Sequence, residues 1–352
     1  MKRAVLRDIR QLSVEDVALP ACPPDGLRIR TRACGVCATD VKIYNYGHHL
    51  LKLPRVLGHE LAGDIDAVGE AVDGSYAVGQ RVAVVAGINC TSCRYCSRGA
   101  PSMCENLEAF GYHHDGGYAE YFIVPAKSIR CNGIKAIPDH LDYASASVME
   151  LLACVVNGQE LSGFTAGESV LILGAGPVGI LHARLAKATG CGPIFLADIS
   201  PERVAQAQDL CSSIPAGVFE CGDTEIFRKT ILEHTDGIGC DQVMVACGAP
   251  QAQSLAMQVV DKCGCVNFFG GLPRGSDPVE IDTNAIHYRH IRVVGTHGSS
   301  LDQNDTALSL IADDCIAVSD LITGRIGLES LEDALTLSDT AGAGLKTVVT
   351  YE

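Results

Sequence analysis

Over roughly the first 150 positions, apolar residues come in short runs broken by glycine and proline. Leu27-Arg28-Ile29-Arg30-Thr31, Leu61-Ala62-Gly63-Asp64-Ile65 and Arg81-Val82-Ala83-Val84-Val85 are the clearest of these. Such punctuated runs predict β-strands, hence a β-rich domain with long functional loops. The texture changes near 150. Ser169-Val170-Leu171-Ile172-Leu173 is a glycine-bounded apolar run suited to a buried parallel strand. A helical stretch follows from about Val178 to Thr189, then a strand at Ile194–Asp198. The next helix runs from Pro201 to Leu210, with Ser200 as N-cap and Pro201 at its first position. Asp241–Ala246 and Cys265–Phe269 read as further strands. This β/α alternation predicts an α/β fold with a doubly wound parallel sheet. Past about 295 the pattern predicts a helix near Asp302–Ile311 and a last strand at Lys346–Thr350.

Charge and cysteine usage narrow the function. Lys and Arg number 27 against 42 Asp and Glu, a net charge of -15 that argues against nucleic acid or anionic membrane as partner. No apolar stretch reaches the ~18 residues of a membrane span. The start, Met1 to Asp8, returns to charge within a few residues and lacks the apolar core of a signal peptide. Seventeen cysteines, an odd number without a secretion signal, read as reduced thiols in the cytoplasm rather than a disulfide framework. Most are scattered singly and serve as small core hydrophobes.

One cluster departs from that pattern. Cys90, Cys93, Cys96 and Cys104 place four thiols within a short segment. Four thiolates are what a closed tetrahedral zinc site requires, and such a site is structural because no coordination position stays open. An iron–sulfur cluster is the competing use of the same ligands. Gly174-Ala175-Gly176-Pro177-Val178-Gly179 fits G-x-G-x-x-G directly after a predicted strand and at the start of a helix. Gly174 permits the tight turn, Gly176 lets backbone approach a pyrophosphate, and Gly179 allows close packing. Pro177 and Val178 open the helix whose N-terminus faces the phosphates. Asp198 closes the next strand, where a carboxylate accepts both ribose hydroxyls and repels a 2′-phosphate, favouring NAD. Arg203 is placed either to stack on adenine or to reach a 2′-phosphate.

Three segments offer further metal ligands: Cys37 in Gly35–Asp40, His59 and Glu60 in Gly58-His59-Glu60, and Glu150 in Ala144–Glu150. Their separation in sequence does not say whether they converge. The C-G-x-C-x-T-D and G-H-E motifs, the cysteine lobe, the glycine-rich turn and Asp198, in this order over nearly the whole chain, resemble the zinc-containing medium-chain dehydrogenase/reductase superfamily. The resemblance is strongest to its polyol (sorbitol-type) dehydrogenase branch. It implies a GroES-like catalytic domain over residues 1–152, with the structural zinc lobe at about 88–105. It also implies a Rossmann NAD-binding domain over 153–294 and a C-terminal return to the catalytic domain over 295–352. By position, Cys37, His59 and Glu150 match catalytic-zinc ligands, and Glu60 matches a carboxylate close to zinc that ligates it in some states. Asp40 matches the acceptor for the metal-bound histidine, and Thr39 the hydroxyl that takes the substrate's proton.

The implied enzyme carries two Zn²⁺ per chain, uses NAD, acts on a small-molecule alcohol and forms homodimers or homotetramers. Hydride transfer from a secondary alcohol of a polyol, sugar or cyclitol is the expected reaction. The alternatives are a dehydrogenase of a simple or aromatic alcohol and a metal-free NAD(P)H-binding reductase. Lys42 stands where many relatives carry a histidine in the proton path, and Gly298 where sorbitol dehydrogenases carry a substrate-binding arginine. His297, Ser299 and Ser300 are the nearby polar replacements, while His48, His49, His113 and His114 read as surface or pocket-rim residues.

Overall fold

In the computed structural model, which describes every residue except 215, 274, 277 and 338–343, the chain divides into two units. One comprises Met1–Ala153 and Gly298–Glu352, the other Cys154–His297. No helix among the described residues is long and apolar enough to cross a membrane.

The first unit is built on a seven-stranded sheet. Its central strand, Leu27–Gly35, alternates buried and half-buried positions until Ala33, beyond which every residue is buried. It pairs antiparallel with Glu60–Val68, setting Gly35 opposite Glu60, and with Lys346–Thr350, setting Gly35 opposite Val348. These pairings hold the ends of three distant segments at one place. Gly35 is required there: a Cβ at that position would lie 1.9 Å from Glu60 Oε2. The core beneath the sheet includes Leu27, Ile29, Leu61, Ile65, Val82, Phe110 and Tyr118.

The second unit holds a six-stranded parallel sheet. Its strand order is Gly217–Glu220, Ile194–Asp198, Val170–Leu173, Cys240–Val245, Val260–Phe268 and Arg292–Gly295. Strand order reverses between Val170–Leu173 and Cys240–Val245, the switch point at which open α/β sheets bind their ligands. The Pro177–Thr189 helix leaves the first of these strands. Ser200 caps the Pro201–Leu210 helix by accepting the Arg203 N–H, as its sequence predicts. Two strands escape the sequence pattern, Gly217–Glu220 and Arg292–Gly295. Both lie at sheet edges and carry no fully buried residue, so their apolar signal is weak.

His182, inside the Pro177–Thr189 helix, is fully buried. Its Nδ1 lies 3.4 Å from Gln159 Nε2, its ring stands edge-on to Phe269 at 4.7 Å, and its Nε2 has no partner among the described residues. Burial pushes its pKa down to about 3. The unfolded chain therefore binds a proton below about pH 6.5 that the folded chain refuses, and stability drains as pH falls from there toward 3. Between pH 7 and 5 this amounts to about 2 kcal/mol. In His182→Leu the loss of urea stability between those pH values should shrink by about that much. An unchanged loss would show that other groups govern the acid response.

Candidate active site and metal centres

The Ala38–Tyr46 helix begins at Cys37, whose sulfur accepts the Thr39 N–H at 3.4 Å while its own N–H donates to Asp40 Oδ2 at 3.1 Å. Cysteine is an unusual N-cap residue, and here the cap fixes the direction of the sulfur. Glu60 opens the opposing strand, and His59 immediately precedes it. Ligand atoms of Cys37, His59 and Glu60 all lie within 4.8 Å of one another. Cys37 is half-buried, whereas His59 and Glu60 are buried. His59 turns Nδ1 toward Asp40 Oδ1 at 3.3 Å, a contact poorly aligned for a hydrogen bond but close enough for strong attraction. That orientation leaves Nε2 for a metal. Burial alone would lower the His59 pKa, but Asp40 and Cys37 outweigh it and raise it well above the ordinary value. Burial would raise the Asp40 carboxyl, and His59 together with hydrogen bonds from Tyr118 and Cys37 holds it low instead. A histidine so strongly drawn to positive charge, beside a sulfur and a carboxylate, is a donor set suited to a divalent cation.

Lys346 is the member that sequence reasoning missed. Its ammonium, almost fully buried, lies 2.6 Å from Glu60 Oε1, 2.5 Å from Oε2 and 3.0 Å from the Val36 carbonyl. Burial would lower its pKa, yet Glu60 and the neighbouring Cys37 and Asp40 raise it. The only signal in the sequence is a lysine opening the strand Lys346–Thr350, which is common at strand ends. Glu60 is thus already paired with Lys346.

Glu150 lies in the first turn of the Met149–Ser162 helix and is not part of the tight three-residue group. It is close enough to be felt electrostatically by the Tyr112 phenol, whose pKa is raised by burial. The Tyr112 ring centroid is 6.4 Å from that of His59 and 5.2 Å, edge-on, from that of His48. His48 therefore sits at the rim of the group, one of the two placements its sequence position offered. His114 instead lies 2.6 Å from Glu108, which is ion-paired with Lys127. Ser300 and Gln303 form a reciprocal cap on the Leu301–Ala312 helix, and Ser299 accepts from Asn304, so both serines have structural partners. Thr39 is half-buried one step from Asp40, and Lys42 is exposed on the same helix.

Cys90, Cys93, Cys96 and Cys104 also have all four sulfurs within 4.8 Å of one another, and Cys93 and Cys96 are 3.6 Å apart. A tetrahedron of Zn–S bonds about 2.3 Å long has an edge of roughly 3.8 Å. A multi-iron cluster would spread its thiolates further, because each binds a different iron. Backbone N–H groups of Cys90, Cys93 and Asn106 point at the sulfurs at 3.3 Å. N–H donors from Ser92 and Cys93 lower the Cys90 pKa to about 5, while burial and neighbouring thiols push Cys96 up to about 12. Cys90 thus favours the thiolate, and Cys96 favours the thiol unless a cation offsets its burial.

At the dinucleotide turn, Gly174 has φ of 112°, open only to glycine, and a Cβ on Gly179 would fall 1.8 Å from the Gly174 carbonyl. Gly176 caps the Pro177–Thr189 helix. Asp198 Oδ2 accepts the Ala175 N–H at 2.7 Å and Oδ1 the Ser200 N–H at 3.0 Å, which aims the carboxylate at the mouth of the turn. Each oxygen keeps a lone pair for a further donor. The Arg203 guanidinium lies over Gly176, 3.5 Å from where a Cβ would be.

Comparison with known proteins agrees with both units. Residues 23–135 match the family described as alcohol dehydrogenase GroES-like domain, and residues 177–313 that described as zinc-binding dehydrogenase. L-threonine 3-dehydrogenase of Chelativorans sp. (strain BNC1) is 31% identical over 336 residues, covering 95% of this chain and 94% of its own. D-altritol 5-dehydrogenase of Agrobacterium fabrum is 31% identical over 349 residues, covering 98% and 95%. Among solved structures, a protein of Sinorhizobium meliloti 1021 assigned as a zinc-binding dehydrogenase and bound to NADP superposes with a TM-score of 0.90. Its identity is 29%, and the match covers 99% of each chain.

Proposed function

The chain belongs to the zinc-binding alcohol dehydrogenase family, and from that premise we propose that it oxidises a secondary alcohol of a polyol, sugar or cyclitol with NAD as hydride acceptor. The observation that carries this reading is the convergence of Cys37, His59 and Glu60. These residues, with Glu150 as a fourth contributor, would hold the catalytic Zn²⁺, and the Cys90, Cys93, Cys96 and Cys104 lobe would hold the structural one. Zinc, when bound, supplies the positive charge that stabilises a substrate oxygen losing its proton.

The chain's own groups do the rest. Thr39, at the helix start beside Cys37, accepts the hydroxyl proton and passes it outward; Lys42, one turn on and exposed, marks the solvent side of that path. Asp40 fixes which nitrogen of His59 faces the metal. Lys346 balances the Glu60 charge, so the group carries less net negative charge than its ligands alone would give. Tyr112 and His48 offer a ring wall with polar edges, suited to a hydroxylated substrate rather than a long apolar one. In the cofactor unit, Asp198 accepts the ribose hydroxyls and opposes a 2′-phosphate. Arg203, whose guanidinium lies over the glycine-rich turn, would meet the adenosine end of the dinucleotide, stacking on adenine or reaching toward a 2′-phosphate. The enzyme would act as a homodimer or homotetramer in the cytoplasm, with its thiols reduced.

The test is a panel of polyols, cyclitols, simple secondary alcohols and L-threonine, each with NAD+ and with NADP+, followed by absorbance of the reduced cofactor. Metal analysis of the same preparation is expected to give two zinc ions per chain. We expect NAD+ reduction with polyhydroxylated members, little with NADP+, and a relaxed preference in Asp198→Ala. Equal use of NADP+ by the wild type would refute the Asp198 assignment. A two-zinc protein inactive with every polyol, sugar and cyclitol would refute the substrate class.

A further inference from the structure

Tyr118 is fully buried and fixed by its own backbone: its N–H donates to the Leu57 carbonyl at 3.1 Å, and its carbonyl accepts the Ala4 N–H at 2.8 Å. Its hydroxyl lies 2.8 Å from Asp40 Oδ2 and 3.2 Å from the Gly35 carbonyl. A phenol has one proton, and the charged acceptor at the shorter distance takes it. Asp40, only 1% exposed, thus receives Tyr118 and the Cys37 N–H on one oxygen and presents the other to His59 Nδ1. Tyr118 therefore reaches His59 through Asp40 and touches neither ligand nor substrate.

We infer that Tyr118 is a positioning residue for the catalytic metal, locking the Asp40 carboxylate so that His59 is held in the orientation and tautomer that binds. The Asp40 side chain has a rotatable bond to its carboxylate, and the Cys37 N–H alone constrains one oxygen from one direction. The Tyr118 hydroxyl, on a ring that the core cannot release, fixes that oxygen from a second. The other oxygen is then aimed at His59 without freedom to turn away. A buried carboxylate gains more from such a donor than an exposed one, because no water competes. Groups that meet a metal-binding histidine directly, as Asp40 does, commonly change metal affinity by about 10–100-fold when removed, and Tyr118, one step further out, should fall at the low end of that range.

The inference rests on reading Cys37 and His59 as metal ligands, and the experiment separates the two. Tyr118→Phe keeps the ring and removes one hydroxyl, so the fold and NADH binding serve as controls. Zinc affinity is measured by chelator competition, and the catalytic site is replaced with Co²⁺ so that its visible absorption bands report ligand geometry. The expected result is about tenfold weaker metal binding in Tyr118→Phe, shifted cobalt bands, a lower kcat, and a nearly unchanged KM for alcohol. In an Asp40→Asn background the same substitution should have little further effect on metal affinity, as required of residues acting in series. A lowered melting temperature with unchanged metal affinity and cobalt bands would overturn the proposal and leave Tyr118 a packing residue. Additive effects of Tyr118→Phe and Asp40→Asn would overturn it as well. If Cys37→Ser retains a full second metal, the metal-site reading itself has failed.

Discussion

Cys37→Ser is expected to abolish turnover by about a thousandfold or more while leaving the protein folded. Serine is a better helix N-cap than cysteine, so the Ala38–Tyr46 helix keeps its start and the Thr39 N–H keeps an acceptor. What disappears is a thiolate, and an un-ionised hydroxyl is a poor zinc ligand. Losing several kcal/mol of charge stabilisation at the substrate oxygen corresponds to three or more orders of magnitude in rate. Zinc should fall from two to one per chain, with the melting temperature and NADH affinity close to wild type. Glu150→Ala belongs in the same series. As a contributor to the site it should lose kcat comparably. Had Glu150 only stabilised the N-terminus of its helix, about 1 kcal/mol or less of stability would go and kcat would stay. Near-normal turnover in Glu150→Ala would remove it from the catalytic group.

Cys96→Ala should fail in the opposite order. The lobe has almost no apolar core: neither the Cys96–Arg98 nor the Pro101–Met103 turn contains a buried residue, and its only strands are the two-residue pair Gly87–Ile88 and Glu108–Ala109. A segment of this kind gets its order from the ion. Apparent zinc binding in small peptides of comparable ligation amounts to about 10–16 kcal/mol, so loss of one thiolate removes most of what holds the loop. Zinc again falls to one per chain, but here hydrogen-exchange protection between residues 88 and 108 collapses first. Activity declines afterwards, as a consequence. Retention of two zinc ions with intact protection in Cys96→Ala would contradict a structural site. The two variants together assign each metal to its site, since both lose one ion and only one of them loses chemistry directly.

The sequence by itself determined whatever depends on neighbours along the chain. The four-cysteine spacing, the glycine-rich turn between a strand and a helix, and the Ser200 cap are local arrangements. Their physics is settled within a few residues, and the coordinates place them where the pattern puts them. Parallel strands with buried faces were legible for the same reason, whereas the edge strands Gly217–Glu220 and Arg292–Gly295 were not, because an edge buries too little to leave an apolar signature. Tertiary structure alone decided the meeting of Cys37, His59 and Glu60. Cys37 and His59 meet because Leu27–Gly35 pairs with Glu60–Val68 in a register that sets Gly35 against Glu60. Lys346 joins them because the last strand returns to the same edge, more than 280 residues after Glu60. Tyr118 reaches Asp40 from a loop fixed by Leu57 and Ala4. Each of these is a long-range contact set by strand register and by the burial of charge in pairs. A buried lysine or tyrosine acquires its role only from the partner that the fold brings to it, and no local pattern names that partner.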